Sequence, residues 1–184
     1  MLKTLGNARF VDFMMAIKVY VAGKVSPNSV FGKHDWRDGF CEELSKKSGI
    51  KIINLDPTKG DIDQNDSNLV VGRNNFLIKS ADLVIVNLTD DISVGGSQEM
   101  LIAKYYKKPL IGLAQKGGKF NKSEKEMFGK VYKNYIDPYV NLCCDKVVES
   151  MNELANFIRN QTPVKKIKDL SFLDEALEYY KKRN

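Results

Sequence analysis

The sequence predicts a three-layer α/β fold with a mostly parallel sheet of about five strands. Short apolar runs alternate along the chain with longer segments of helical periodicity. The best-defined case is segment 81–113, where a buried strand, a glycine turn, a helix and a second buried strand follow one another. Such a βαβ unit joins parallel strands. Folds of this Rossmann-like or flavodoxin-like kind bind ligands where strands end and the following helices begin.

The first two elements are marked by their ends. The apolar run 17–22 predicts a strand that closes at Gly23. A helix is predicted at 36–47, because Asp35 can cap its first turn and Gly49 tolerates the left-handed angles that end a helix.

The middle of the chain predicts a second strand at 50–55 and a third at 83–88. Between them, a polar loop at 56–68 cannot bury itself, so we expect it to lie over a site or to be mobile. A helix at 69–80 then leads into the third strand.

The second half continues the alternation. In order, we predict a helix opened by Glu99, a strand at 110–114, a helix at 122–134, a short fifth strand at 139–143 and helices at 147–159 and 172–182. Residues 15–162 therefore form one α/β domain. Residues 1–14 are an extension or a short helix that covers a sheet edge, and 163–184 carry a helix packed on the domain or at a subunit contact.

Composition narrows the function classes. A chain of 184 residues with 43% hydrophobic content fits one soluble domain. The net charge of +6 suits an anionic ligand such as a nucleotide. The lysines are scattered and form no single stripe, so we expect no nucleic-acid polymer as a partner.

Metal, redox and membrane chemistry find little support. Three cysteines (Cys41, Cys143 and Cys144) and one histidine (His34) give neither a disulfide framework nor metal-ligand spacing. They suggest reduced thiols in a cytoplasmic protein. Since no apolar run approaches the roughly 20 residues of a membrane span, we expect no membrane association.

Glu99 is the central candidate residue, because it follows Gly95, Gly96 and Ser97 at the start of a helix after a buried strand. The Gly-Gly-Ser run is either an anion site or a tight turn capped by Ser97, and local pattern favours the turn. It lacks the Walker and GxGxxG spacings, so neither ATP nor NAD is indicated. The carboxylate either complements the helix dipole or acts as a nucleophile at an electrophilic carbon.

Five short blocks in order resemble one enzyme family. They are Lys18-Val19-Tyr20-Val21-Ala22-Gly23, Asp35-Trp36-Arg37, Ala81-Asp82-Leu83-Val84-Ile85-Val86, Gly95-Gly96-Ser97-Gln98-Glu99-Met100-Leu101-Ile102-Ala103 and Lys108-Pro109-Leu110-Ile111. The chain resembles the nucleoside 2-deoxyribosyltransferase superfamily, which includes the 2'-deoxynucleoside 5'-phosphate N-hydrolases. The likeness covers about two-thirds of the domain.

The resemblance implies a mechanism and partners. Glu99 takes the position of the nucleophile that attacks C1', expels the base and forms a glycosyl-enzyme ester. A second base or water then completes transfer or hydrolysis. Tyr20 takes the position of the tyrosine that orients the nucleophile. The family implies a small-molecule nucleoside or nucleotide substrate, no cofactor, and a homo-oligomer that is a dimer or higher.

Several further residues are candidates for the substrate. Gly23 permits close approach of the backbone to sugar or phosphate, and Trp36 either stacks on a base or packs in the core. Four polar side chains could meet a 5'-hydroxyl or 5'-phosphate: Lys24, Ser26, Arg37 and Ser97.

The chain departs from the family at Asn74, where an aspartate usually protonates or holds the departing base. An amide can hydrogen-bond the base but cannot deliver a proton. Asp66, Asp90 or Asp91 could supply the acid, and Asp91 is the best placed, on the loop after the third strand.

Two other functions stay open. Asn74 and its neighbour Asn75 suggest a nucleotide-binding module without turnover. The Gly-Gly-Ser-x-Glu run prompts a ribosyl-phosphate hydrolase similar to the cytokinin-activating phosphoribohydrolases, although that family's longer glycine signature is absent. The basic charge favours phosphorylated substrates over free nucleosides.

Overall fold

The computed structural model of the chain describes residues 16–24, 36–161 and 164–183. Seven strands are found in these ranges: β1 (Ala16–Ala22), β2 (Lys51–Asn54), β3 (Leu83–Asn87), β4 (Leu110–Leu113), β5 (Asn121–Met127), β6 (Lys130–Ile136) and β7 (Lys146–Val148). Five of them form one parallel sheet in the order β2-β1-β3-β4-β7, and β5 pairs with β6 in a separate antiparallel hairpin.

Helices cover both faces of the sheet, so the predicted three-layer α/β fold is confirmed. They are α1 (Trp36–Ser48), α2 (Ser67–Ser80), α3 (Val94–Tyr105), α4 (Pro138–Cys143), α5 (Met151–Gln161) and α6 (Ser171–Lys181). Residues of α1 and α5 share one core with Val19 and Val21 of β1. Residues of α2, α3, α4 and α6 share the other core with Tyr20 and Ala22. Alternation along β1 therefore sends Tyr20 to the α2–α3 face.

The strand order places a topological switch point between β1 and β3. The chain leaves β1 toward β2 on one side and later returns to β3 on the other. In open parallel sheets of this flavodoxin-like order, ligands bind at the carboxyl edge beside such a switch point. The ends of β1 and β3 therefore lie at the edge where the sequence predicts a ligand.

The helix predicted at 122–134 is wrong, because β5 and β6 occupy this segment. Met127 pairs with Lys130, and the two residues between them, Phe128 and Gly129, both have positive φ (53° and 72°). That combination matches a two-residue type I′ hairpin turn. Both strands are mostly exposed, so this lysine-rich run carries no buried pattern from which the sequence could have indicated strands.

The fifth strand lies later than predicted. Residues 139–143 belong to α4, whose first turn is capped by Asp137 and begins with Pro138. The strand itself is β7, which takes the first residues of the helix predicted at 147–159. The other predicted strands and helices are found within a few residues of their expected limits, apart from the start of α3.

A buried ion pair ties the C-terminal segment to the sheet. Lys104 of α3 is fully buried and its Nζ lies 2.5 Å from Asp145 Oδ2, which also accepts a hydrogen bond from Leu110 N. The other carboxylate oxygen accepts from Lys168 N at 2.7 Å. Phe172 of α6 then enters the α2–α3 core. The domain limits themselves stay a prediction.

Some predictions fall on residues outside the described ranges. These are the extension at 1–14, the Asp35 cap and the candidate contact at Ser26. Gly49 ends α1 as predicted, with φ of 72°. Within the described part of the chain, none of the helices has the length and apolar character needed to cross a bilayer.

Candidate active site at the end of β1 and α3

Helix α3 begins earlier than predicted, and this moves Glu99 from the first turn into the second. The N-cap is Ser93, whose Oγ accepts a hydrogen bond from Gly96 N at 3.1 Å. Ser97, the predicted cap, donates its hydroxyl to the carbonyl of Val94 at 2.7 Å. The Gly95–Gly96 pair therefore lies inside the first helical turn, which corrects the predicted strand-to-helix turn.

The absence of a side chain at Gly96 allows the loop before α3 to fold tightly. A Cβ at Gly96 would lie 2.9 Å from Ile92 Cγ1, which is closer than such contacts occur in proteins. Gly95 is exposed at the same helix end and lines the cavity in front of Glu99. The local sequence thus brings the N-terminal end of α3 to the edge of the site.

The Glu99 carboxylate is held by two side chains from other elements. Tyr20 of β1 donates its hydroxyl to Glu99 Oε1 at 2.7 Å, and Asn74 of α2 donates Nδ2 to the same oxygen at 3.1 Å. Tyr20 is fully buried, and only 8% of Glu99 is exposed. None of the described residues hydrogen-bonds Oε2. One carboxylate oxygen is therefore fixed, while the other has no donor among the residues that the structure describes.

Burial raises the pKa of the Glu99 carboxyl above its ordinary value, and the Tyr20 hydrogen bond, the Arg37 charge and the Asn74 hydrogen bond act against that rise. Burial also raises the pKa of Tyr20, and the neighbouring Glu99 charge adds to this effect. Tyr20 therefore stays a hydroxyl that donates to the carboxylate.

Arg37 is a buried cation beside this pair. It is 1% exposed, and its Nε and Nη2 donate to the carbonyls of Val21 and Gly23 at 2.8 and 3.1 Å. The third nitrogen, Nη1, is buried without a hydrogen-bond partner in the part of the chain that the structure describes. Burial lowers the pKa of Arg37, while the charges of Asp56 and then Tyr20 and Glu99 oppose that change. A guanidinium held in this way offers a donor and a positive charge to the cavity.

A cavity of about 420 Å³ opens in front of Glu99. The residues that line it come from the ends of β1 and β2, from α1, α2 and the start of α3: Gly23, Arg37, Pro57, Thr58, Gln64, Val70, Arg73, Asn74, Ser93, Gly95, Gly96 and Glu99. The loop predicted to lie over the site contributes three of them, Pro57, Thr58 and Gln64. The volume falls in the range of small-molecule sites.

Five predicted site residues besides Glu99 line this cavity: Gly23, Arg37, Asn74, Gly95 and Gly96. Tyr20 reaches it through its bond to Glu99. Gly23 also has a packing reason to be small, because a Cβ there would lie 3.1 Å from the Trp36 ring, and the expected contact with sugar or phosphate stays a prediction. Its small size is needed for packing against Trp36.

Three predicted residues lie away from this cavity. Trp36 packs with its ring 4.5 Å from the Arg37 guanidinium and lines a second cavity on the other face of the sheet. Lys24 forms an ion pair with Asp90 at 3.8 Å. Ser97 turns its hydroxyl back to its own helix.

Asp91, the expected acid, does not line the cavity at Glu99. Its carboxylate accepts from Lys119 Nζ at 2.7 Å and from Ile92 N at 2.8 Å. The Lys119 hydrogen bond lowers the pKa of Asp91, which keeps it ionised. Asp66 caps α2 through Leu69 N. We therefore leave these carboxylates out of the proposed chemistry.

Sequence reasoning missed Arg73 and Ser93. Arg73 lines the cavity, and its Nε lies 3.5 Å from Asn74 Oδ1, so it helps to orient the amide that contacts Glu99. Its place beside Asn74 was the available signal. Ser93 could have been found as the cap residue three positions before Gly96. Among the described residues, no group of three His, Cys, Asp or Glu side chains is arranged to hold a metal ion.

Comparison with known proteins shows the fold. No protein-family model matches the chain, and no curated protein matches it in sequence. A 2-deoxyribosyltransferase of the psychrotolerant bacterium Bacillus psychrosaccharolyticus matches 83% of this chain and 98% of its own, with 15% identity and a TM-score of 0.51. A 2-deoxyribosyltransferase of Leishmania mexicana matches 78% of this chain and 98% of its own, with 14% identity and a TM-score of 0.52.

A third match, a CMP N-glycosidase of Clostridium botulinum, covers 77% of this chain and 97% of its own at 13% identity and a TM-score of 0.41. The two matches above 0.5 show that the chain has the fold of the 2-deoxyribosyltransferases. The resemblance inferred from the sequence blocks is confirmed at the level of fold.

Proposed function

We propose that this chain, which has the 2-deoxyribosyltransferase fold, cleaves or transfers the N-glycosidic bond of 2'-deoxynucleosides or their 5'-monophosphates. The observation that carries the proposal is the Glu99 carboxylate at the β1–β3 switch point. It is buried, bonded on one oxygen by Tyr20 and Asn74, and faces a cavity of about 420 Å³. A carboxylate held only to complement a helix end needs neither these partners nor this cavity.

The proposed chemistry follows from the unequal carboxylate oxygens. Glu99 Oε2 attacks C1', and the bond between C1' and the base nitrogen breaks with its electron pair passing to the base. The product is an ester between the sugar and Glu99. Water or a second base then attacks C1' and releases the carboxylate, so the configuration is retained. Tyr20 and Asn74 stabilise the ionised carboxylate before it attacks and again as it is released from the ester.

Among the described residues that line the cavity, no side chain is a clear acid for protonating the leaving base. Asn74 stands where an acid would be useful, and its amide has no acidic proton to transfer to a base. The titratable side chains among the described lining residues are Glu99 and two arginines, Arg37 and Arg73. Two guanidinium groups stabilise a base that departs with negative charge, and we expect bases that leave readily as anions to be the better substrates.

The same two arginines support a phosphorylated substrate. Together with the exposed N-terminal end of α3 at Gly95, they give the cavity more positive than negative charge. We therefore expect 5'-monophosphates to be turned over with a higher kcat/KM than the free deoxynucleosides. Arg73→Met should reduce that preference, and Lys79→Met, on the same helix but outside the cavity lining, should leave it unchanged.

The direct test is base release from a panel of deoxynucleosides and 5'-monophosphates, with and without an acceptor base, followed by chromatography. Mass spectrometry of acid-quenched protein should show one deoxyribosyl group added to the peptide that contains Glu99. Glu99→Gln keeps the shape and both hydrogen bonds to Oε1 but should abolish the adduct. Base release that persists in Glu99→Gln would refute this nucleophile.

A nucleotide-binding module without turnover is the second candidate, because Asn74 replaces a group able to donate a proton. Thermal stabilisation by deoxynucleotides without base release or adduct over long incubation would favour it. The resemblance also implies a homo-oligomer, which light scattering coupled to size-exclusion chromatography tests directly.

A further inference from the structure

A second cavity lies on the opposite face of the sheet from Glu99. It has a volume of about 470 Å³ at the carboxyl edge, between α1 and the start of α5. Asn87 at the end of β3 lines it, and the inward residues of the same strand, Leu83 and Ile85, belong to the α1–α5 core. Since Tyr20 and Glu99 belong to the other face, this cavity is separate from the proposed active site.

Asn87 has an unmet hydrogen-bonding requirement. The side chain is 3% exposed, and its Oδ1 accepts from the backbone N–H and the hydroxyl of Thr89 at 3.3 and 2.8 Å. The backbone N–H can only donate, so the amide oxygen must face Thr89 and the NH₂ group must face away. Nδ2 is buried and has no hydrogen-bond partner within the described ranges. A buried donor of this kind costs free energy unless an acceptor is supplied.

The side chains that line the cavity indicate what kind of ligand could accept a hydrogen bond from Asn87 Nδ2. Four large apolar side chains line the cavity: Trp36, Phe40, Leu113 and Met151. Aromatic and apolar walls suit a flat ring.

Two lining carboxylates, Glu43 and Glu149, oppose an anion. Glu149 also accepts from Asn121 Nδ2 at 3.2 Å, and Glu43 has Lys47 Nζ at 3.7 Å, so each retains acceptor capacity for a ligand N–H.

We propose that this cavity is a second ligand site that binds an uncharged or cationic planar heterocycle, with an acceptor for Asn87 Nδ2 and an amino edge for a carboxylate. Free nucleobases such as adenine and cytosine carry this combination. Nucleotides are disfavoured because their phosphates would meet Glu43 and Glu149. The site does not depend on the proposed reaction at Glu99.

Residues that line the two cavities pack against each other, so a ligand in the second cavity could affect the first. A Cβ at Gly23 would lie 3.1 Å from the Trp36 ring and 3.5 Å from Asn87 Cβ. Gly23 lines the Glu99 cavity, while Trp36 and Asn87 line the second one. A base bound against Trp36 therefore lies one residue away from the active-site wall.

The chain carries its own reporter for a binding test, because Trp36 is its single tryptophan. We would titrate adenine and cytosine while following tryptophan fluorescence, with equilibrium dialysis of labelled adenine as an independent measurement. Gly39→Leu is the blocking variant, since Gly39 lines the cavity on α1 and a Cβ there would meet nothing within 4 Å. Gly72→Leu on α2, equally unhindered and outside the lining, is the matched control.

We expect saturable binding that Glu99→Gln and Gly72→Leu leave unchanged and that Gly39→Leu weakens at least tenfold. Circular dichroism and a thermal melt confirm that each glycine variant is folded. Binding that survives Gly39→Leu, or that is lost in Glu99→Gln, overturns the second site. The absence of saturable binding of either base up to its solubility limit, by both methods, also overturns it. None of these outcomes depends on turnover, so failure of the proposed reaction is recognised separately.

Discussion

Tyr20→Phe isolates the hydroxyl that holds the proposed nucleophile. Tyr20 is fully buried, and its hydroxyl donates to Glu99 Oε1 at 2.7 Å. Phenylalanine keeps the ring and its packing in the α2–α3 core, so the change removes one oxygen. A hydrogen bond to a charged group contributes about 1.5–3 kcal/mol. Full burial and the short distance place this bond near the upper value.

The expected loss follows from that energy. Without the Tyr20 donor the ionised carboxylate is less stable, so the pKa of Glu99 moves further above its ordinary value. At about 1.4 kcal/mol per tenfold, a bond near the upper value corresponds to a fall of about a hundredfold in kcat/KM on the acid side of the pH profile. The loss should shrink as the pH rises, because a larger share of Glu99 is then ionised.

The assay is kcat/KM for base release measured across pH, since this ratio reports groups of the free enzyme. Tyr139→Phe is the matched control, because Tyr139 is 84% exposed on α4 and lies outside the cavity. A loss in Tyr20→Phe that is the same at every pH would contradict the role in ionisation. Unchanged kinetics would refute the contact as part of the mechanism.

Three further predictions concern Glu99, its partner on α2 and the buried ion pair. Burial raises the pKa of Glu99 in the folded protein, so ionisation of Glu99 opposes folding at pH values above the ordinary glutamate pKa. Glu99→Gln removes this penalty and should raise the Tm at neutral pH. A gain in Tm of the same size in acid would contradict ionisation as the cause. Asn74→Asp adds an acid next to Glu99, so the pH–rate profile should become bell-shaped and release of adenine should rise by about a hundredfold; an unchanged profile would count against the missing acid. Lys104→Met leaves the buried Asp145 without its cation and should lower the free energy of unfolding by about 3–5 kcal/mol in urea titrations. Adding Asp145→Asn to Lys104→Met should recover part of this loss. An equal loss in the single and the double variant would contradict an uncompensated charge as the cause.

The parallel sheet could be predicted because its signals are local. The β3 strand is apolar up to Asn87, and every residue in it is buried, so a continuous apolar run sufficed. Glu99 could be singled out for a similar reason, since glycines after a buried strand indicate a helix near it, although that helix begins five residues earlier than predicted. The β5–β6 hairpin was not predicted, because its exposed strands show no pattern of buried residues and its formation depends on a turn at Phe128–Gly129.

The sequence pointed to Tyr20 and Asn74 as candidates, but it could not show that both contact Glu99. Tyr20 lies 79 positions before Glu99 and Asn74 lies 25 before it, and only the sheet order carries both to one oxygen. The place of Arg73 beside Asn74 was its one signal in the sequence, because a lysine- and arginine-rich chain offers many cations and only the cavity distinguishes Arg37 and Arg73 from the rest. Side-chain positions across the sheet depend on register and strand order, which no short segment encodes.

The sequence by itself determined the class of the fold and predicted a sheet edge for a ligand with the Glu99 carboxylate beside it, because hydrophobic periodicity and turn residues act over a few positions. The tertiary structure decided which oxygen of Glu99 is held, which arginines line its cavity, and that Asp91 is paired with Lys119 away from that cavity. It also separated Trp36 from the Glu99 cavity, because the Trp36 ring packs from α1 into the core on the opposite face of the sheet. These features depend on contacts between segments that are distant in sequence, and such contacts form only when the strands and helices have assembled into the folded domain.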